Sequence, residues 1–229
     1  MKINLLLGAA ALAGLLAGGA QATTLVVSDP SFESAPPDGY TEAGCGAGCA
    51  YSASPISGWS TTDNAGQFEP GSSSGNFAYF NYVPDGLNVA YSNGGSIYQT
   101  IAATAVAGDT YTLTLDVGSR ADGALTTPVE NLIVNGNVVA ATGVVATSGN
   151  WSVYTASYTA VAGDAGHAIE IQLVSPGSQA NWDNITLTDT SPIIGGGVPE
   201  PATWALMLIG VAGLGATLRA RRRSLTVAA

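Results

Sequence analysis

The chain of 229 residues is 46% hydrophobic and 10% charged, too apolar for a disordered polymer and long enough for one domain with end segments. Its formal charge of −10 is unevenly spread: between residues 23 and 197, fifteen carboxylates face a single arginine, Arg120, a net of −14 with His167 neutral. A field of that sign repels phosphate and excludes nucleic acid as a partner.

The first predicted element is an export signal. Lys2 supplies a positive start, Leu5 to Ala17 an apolar run, and Ala20-Gln21-Ala22 a small-residue cleavage site, so residues 1–22 read as a signal peptide and the mature chain as beginning near Thr23. Export fixes the expected state of Cys45 and Cys49, the only two cysteines. In an oxidising compartment they are expected to pair, closing a five-residue loop for about 2 kcal/mol on the chain-entropy estimate. Gly71-Ser72-Ser73-Ser74-Gly75 has the spacing of a nucleophile elbow, but the elbow needs a following helix and Asn76 to Phe80 reads as strand. It is taken as a polar loop.

The body, residues 23–190, reads as all-β. Runs rich in Val, Ile, Thr and Tyr recur between Gly, Asn, Asp and Pro clusters, the pattern of short strands and turns. Val83-Pro84-Asp85-Gly86 is a turn by the fixed φ of proline and the left-handed tolerance of glycine. Thr110 to Val117 alternates Tyr111, Leu113, Leu115 and Val117 with polar residues, as a half-buried strand does. Asn135-Gly136 between Leu132-Ile133-Val134 and Asn137-Val138-Val139 predicts a hairpin with a type I′ turn. Ile169, Ile171 and Leu173 alternate in the same way. Thr104 to Asp109 recurs as Thr159 to Asp164, one strand-turn-strand solution used twice. Eight to ten strands without covering helices predict two antiparallel sheets packed face to face. His167 opens a strand after an Ala-Gly turn, with no nucleophile placed for it to activate.

After an Ile194-Gly195-Gly196-Gly197 linker, within residues 191–197, comes Val198-Pro199-Glu200-Pro201. Seventeen uncharged residues, 202–218, follow, then Arg219, Arg221, Arg222 and Arg223 and a short tail, residues 224–229. As a helix the uncharged run spans about 26 Å, near the lower limit for a bilayer, and the arginines place the tail in the cytoplasm. Motif, span and basic cluster together resemble the PEP-CTERM sorting signal of Gram-negative bacteria, over residues 198–223. The resemblance implies export across the inner membrane, transient anchoring there by the C-terminal transmembrane helix, and cleavage near the motif by an exosortase-type protease. Release to the cell surface or an extracellular matrix would follow.

A second resemblance covers the body. Ser28-Asp29-Pro30-Ser31-Phe32-Glu33, Gly58-Trp59, Ala107 to Leu113 and Trp182-Asp183-Asn184-Ile185-Thr186-Leu187 resemble a galactose-binding-domain-like jelly roll, the fold of many carbohydrate-binding modules. It implies a structural calcium on Glu33 and Asp183, with Asp29 a further candidate. Parity along the last strand adds to this, placing Asp183 on the core side with Ile185 and Leu187, where a carboxylate needs a partner and a cation supplies one. A strand-end Asp183 taking backbone N–H bonds is the alternative. Trp59, Tyr40 and Tyr51, in the irregular stretch from Pro36 to Gly75, are the candidate sugar-stacking rings, with packing beneath a loop as the competing role for Trp59. Tyr79, Tyr82, Trp151, Tyr154 and Tyr158 read as strand residues filling the core.

The expectation is therefore an exported, non-catalytic β-sandwich that binds or organises extracellular polysaccharide. A purely structural or adhesive matrix protein and a polysaccharide-active enzyme are the alternatives.

Overall fold

The computed structural model describes residues 21–42, 48–62, 64–71, 79–122, 127–192 and 201–225. The signal peptide up to residue 20, Cys45, the Gly-x-Ser-x-Gly segment from Ser72 onward, and the linker with Val198, Pro199 and Glu200 lie outside the described residues.

Among the described residues, thirteen strands run in chain order: β1 Gln21–Leu25, β2 Ala50–Ser52, β3 Ser60–Thr61, β4 Ala65–Glu69, β5 Val89–Asn93, β6 Ser96–Thr104, β7 Thr110–Gly118, β8 Val129–Val134, β9 Asn137–Ala140, β10 Thr142–Gly143, β11 Trp151–Thr159, β12 Ala168–Val174 and β13 Gln179–Ser191. One sheet has the order β10-β11-β7-β13-β5-β4-β2 with β1 also on β13, and the other the order β3-β6-β12-β8-β9. Every strand pair among the described residues is antiparallel. The jelly-roll sandwich read from the sequence is the fold.

The predicted alternations form the inner core. Tyr111, Leu113, Leu115 and Val117 of β7 meet Ile169, Ile171 and Leu173 of β12 and Leu132 and Val134 of β8. Each such fully buried apolar side chain contributes about 1.5–3 kcal/mol. The Asn135-Gly136 hairpin forms with φ of 51° and 75°, the positive values a type I′ turn needs. The two copies of the internal repeat bind each other: Gly108 N donates to Ala160 O at 2.8 Å and Ala160 N to Asp109 O at 2.9 Å.

The first sheet also carries a second core on its other face. On β5, Ala90 belongs to the inner cluster while Val89 and Tyr91 join Cys49, Phe68, Phe80 and Trp151 in an outer one, because successive side chains of a strand point to opposite faces. Tyr79 and Tyr82, expected in strands, lie in the segment between β4 and β5, outside any strand.

β1 begins at Gln21 and pairs Gln21 to Ser191 and Ala22 to Thr190. The expected cleavage after Ala22 would trim the first two residues of this strand and leave Thr23, Thr24 and Leu25 paired. Apart from the sandwich, a helix α1 covers Pro201–Leu225, running through the arginine cluster instead of ending at Leu218. Among the described residues, no helix is long and apolar enough to cross a membrane.

Candidate functional site

The site is organised by a bulge in β13. The β13–β7 ladder shifts register between Asp183 and Thr186, and Asn184 takes φ of +50°, the left-handed conformation that Asn tolerates better than most residues. Trp182, Ile185 and Leu187 all lie in the inner core. Asp183 instead pairs with Asp116, whose neighbours Leu115 and Val117 point inward, so both aspartates share the outer face. The expected parity, with Asp183 beside Ile185 and Leu187, is corrected by this one extra residue.

Asp183 has no solvent exposure. Its Oδ2 accepts Asp85 N at 2.9 Å and its Oδ1 accepts Asn184 N at 2.7 Å. Burial pushes its carboxyl up to about 8; the two N–H bonds oppose the rise, and the charges of Asp85 and Asp116 add to it. Burial of this kind favours the protonated form.

The segment 79–88 forms a strap over this face. Asn81 N donates to Gly149 O at 2.7 Å, Trp151 Nε1 to Tyr82 O at 2.8 Å, and Ser31 Oγ to Asp85 Oδ2 at 2.6 Å. Glu33 Oε1 accepts Leu87 N at 2.8 Å and Asn88 N at 2.7 Å, while Oε2 accepts Asn88 Nδ2 at 3.0 Å. Gly86, at φ of +71° as its turn requires, packs so closely that a Cβ there would overlap the Glu33 carboxyl. Phe80 and Trp151 lie over Gly118, where a Cβ would come within 2.8 Å of both.

Two features of this region had no counterpart in the sequence reading. Asn181 and Tyr91 face each other across β13 and β5, on the outer face beside Asp183. On the inner face, Glu130 is 1% exposed and its Oε1 accepts Trp182 Nε1 at 2.8 Å. Burial raises its carboxyl above the ordinary range, against the tryptophan bond. Consecutive residues, Trp182 and Asp183, thus serve two buried acids on opposite faces of one sheet. Both acids were present in the sequence, but burial of a carboxyl is a tertiary fact that local pattern does not carry.

The calcium candidates are partly brought together. Glu33 and Asp183 hold the same turn, Asp85 to Asn88. Asp29 Oδ1 accepts Ser34 N at 3.1 Å and its Oδ2 is buried without a partner. Among the described residues, no group of three or more His, Cys, Asp or Glu side chains gathers in a form that could hold a metal. Cys49 is buried.

The stacking candidates are placed differently from one another. Trp59 is an inner-core residue, 6% exposed, with Nε1 donating to Ser28 O at 2.7 Å, so it packs beneath the loop. Tyr40 is half-buried and donates to Asn88 Oδ1 at 2.9 Å; burial, then the charge of Glu33, pushes its hydroxyl up to about 12. Tyr51 sits edge-on to Tyr91. Arg120, the lone cation of the body, pairs with Asp122 at 2.5 Å, bonds Gln179, and lies 4.3 Å over the Tyr79 ring.

Comparison with known proteins gives the chain its family. Residues 23–188 match the HpiC1-like family, described as HpiC1 cyclase, and residues 197–223 match the PEP-CTERM protein-sorting motif. No curated protein matches. The Stig cyclase Fisc from Fischerella sp. TAU, in complex with (3Z)-3-(1-methyl-2-pyrrolidinylidene)-3H-indole, is 22% identical with a TM-score of 0.61, covering 75% of this chain and 100% of its own. A cyclase from the same organism in complex with 4-(1H-indol-3-yl)butan-2-one is 22% identical with a TM-score of 0.60, covering 74% and 99%. The CBM22-1 xylan-binding domain from Paenibacillus barcinonensis Xyn10C is 10% identical with a TM-score of 0.39, covering 59% and 87%.

These findings correct the expectation of a non-catalytic module. That expectation rested on missing hydrolase constellations, whereas a single desolvated carboxyl can serve as a general acid and leaves no spaced motif in a sequence. The sorting motif marks the chain as exported, surface-sorted and processed by an exosortase. The chain belongs to the HpiC1-like cyclase family.

Proposed function

We propose that the sandwich is an exported acid catalyst of ring closure, with Asp183 as the proton donor. The observation that carries this is the burial of Asp183 under the strap, which keeps its carboxyl protonated at neutral pH and so able to give a proton. The substrate class proposed is an electron-rich planar ring bearing an alkene, by analogy with the indole compounds bound in the cyclase structures. The Asp183 proton goes to the alkene, and the resulting cation closes onto a ring carbon to form a carbon–carbon bond. The proton then lost from that ring carbon returns to the carboxylate. The sum is an isomerisation that needs no oxidant or reductant. Because Asp183 is unexposed, the substrate reaches it only when the strap lifts.

The test is incubation of the purified exported protein with an alkenyl indole, reading a product of unchanged mass and new retention time. Asp183→Asn should cut the rate by about 100-fold or more, the usual weight of a general acid. An unchanged rate in that variant, or no isomerisation by the native protein, contradicts the proposal.

Calcium on Glu33, Asp183 and Asp29 is a competing reading for the Asp183 carboxyl. The oxygen-only donors and the orphaned Asp29 Oδ2 suit a hard cation, but a cation on Asp183 would hold its carboxyl ionised. A calcium titration of that carboxyl decides between them. A polysaccharide polymer is the second reading, favoured by the Tyr82 ring on the strap, 46% exposed and open to sugar stacking; a blank glycan array on the folded protein would retire it. We further propose that Cys45 and Cys49 pair, and that the C-terminal segment holds the precursor at the inner membrane until cleavage near Pro199-Glu200-Pro201. Mass spectrometry of the released protein should find its end near residues 198–201, and Arg221 to Arg223 retained outside the cell would contradict processing.

A further inference from the structure

Asn181 and Tyr91 stand opposite each other on β13 and β5 and are 0% and 3% exposed. Asn181 Nδ2 donates to Ala90 O at 3.3 Å, yet Asn181 Oδ1 and the Tyr91 hydroxyl have no hydrogen-bond partner. A buried polar atom left unpaired costs about 1–3 kcal/mol, and most buried polar atoms are paired. Two such orphans on facing positions of neighbouring strands, on the face the strap covers, mark a place where a ligand supplies what the protein does not.

We infer that Asn181 and Tyr91 are the polar end of the substrate site, with Asn181 Oδ1 accepting a hydrogen bond from a ring N–H and the Tyr91 hydroxyl bonding a second polar atom. The inference rests on the cyclase reading for the ring class alone. Asp183 lies two residues further along the same face of β13, about 7 Å at the rise of a strand. A fused two-ring system with a side chain covers that span, its N–H at Asn181 and its reacting carbon at the acid. The outer aromatic cluster, with Phe80 and Trp151 over Gly118, supplies apolar faces beside it. Selection for an N–H over an N-alkyl ring follows, because an N-methyl group leaves Asn181 Oδ1 unpaired in the complex.

Calorimetric titration of the purified exported protein with indole and with 1-methylindole tests this. Indole should bind at least about 10-fold tighter, within the range set by one unpaired buried acceptor. Asn181→Leu should bring the ratio close to one, and Tyr91→Phe should weaken both probes while leaving the ratio in place. Where Asn181→Leu fails to fold by circular dichroism, Asn181→Ala gives the same readout. Equal affinities in the native protein, binding of neither probe, or a ratio unchanged by loss of the Asn181 amide overturns the inference. The cyclase reading fails separately: N–H preference without isomerisation keeps the subsite and removes the catalyst, and isomerisation without N–H preference does the reverse.

Discussion

Asn184 decides the direction of Asp183, and so the chemistry of the site. Its φ of +50° costs a residue with a Cβ about 1–2 kcal/mol, eased in Asn by its short polar side chain, which donates to Asp116 Oδ2 at 3.0 Å. Asn184→Ala is expected to lower stability by about 1 kcal/mol in a urea melt, while Asn184→Gly loses less because glycine takes the conformation freely. Equal losses in the two variants would remove the bulge from the explanation. Here the sequence misled: period two along Trp182 to Leu187 points Asp183 inward, and the extra residue that reverses it exists only once β7 and β13 are aligned. The identities of Asp183, Glu33 and Asp29 as residues worth attention were legible. Asn181 and Tyr91 were not, since nothing local distinguishes a buried orphan from a paired or exposed amide.

The strap 79–88 is the element on which access depends, and Glu33 is its chief clasp, with three hydrogen bonds to Leu87 and Asn88. Removing these acceptors in Glu33→Ala should speed amide exchange at Leu87 and Asn88 by about 10-fold or more while leaving β7 amides protected. Exchange rising equally in β7 would show that Glu33 supports the whole sandwich instead of its cover. Strands with one buried face, β7 and β12, were readable because alternation survives in them. β5 was not, because the outer aromatic cluster buries Val89, Ala90, Tyr91 and Ser92 alike, and a strand covered on both faces loses its period.

At the scale of the whole molecule, the raised carboxyls of Asp183, Glu130 and Asp189 set the sign of the pH dependence. A folded-state value above the unfolded one means that the native state holds a proton the unfolded chain has released. Stability then falls as pH rises, by up to about 1.4 kcal/mol per unit for each such group. For Asp183 the window runs from its ordinary 3.8 to about 8, and Glu130 and Asp189 add in the same direction. Asp164 works the other way: its carboxyl is held low by the Val161 N–H and Tyr158 hydroxyl bonds, so its contribution is present above the ordinary carboxylate range and is lost in acid. The melting temperature should therefore fall from about pH 5 to pH 8, and Asp183→Asn should flatten part of that slope. A native profile that rises or stays level over this interval contradicts the upward shift of these buried carboxyls.

The most direct measurement is the protonation state of Asp183 itself, by infrared difference spectroscopy of the native protein against Asp183→Asn at pH 7, with and without calcium. A protonated carboxyl band that titrates near 8 and ignores calcium is the expected result. A carboxylate band at pH 7, or one that calcium produces, would leave Asp183 unable to donate a proton and would end its assignment as the acid.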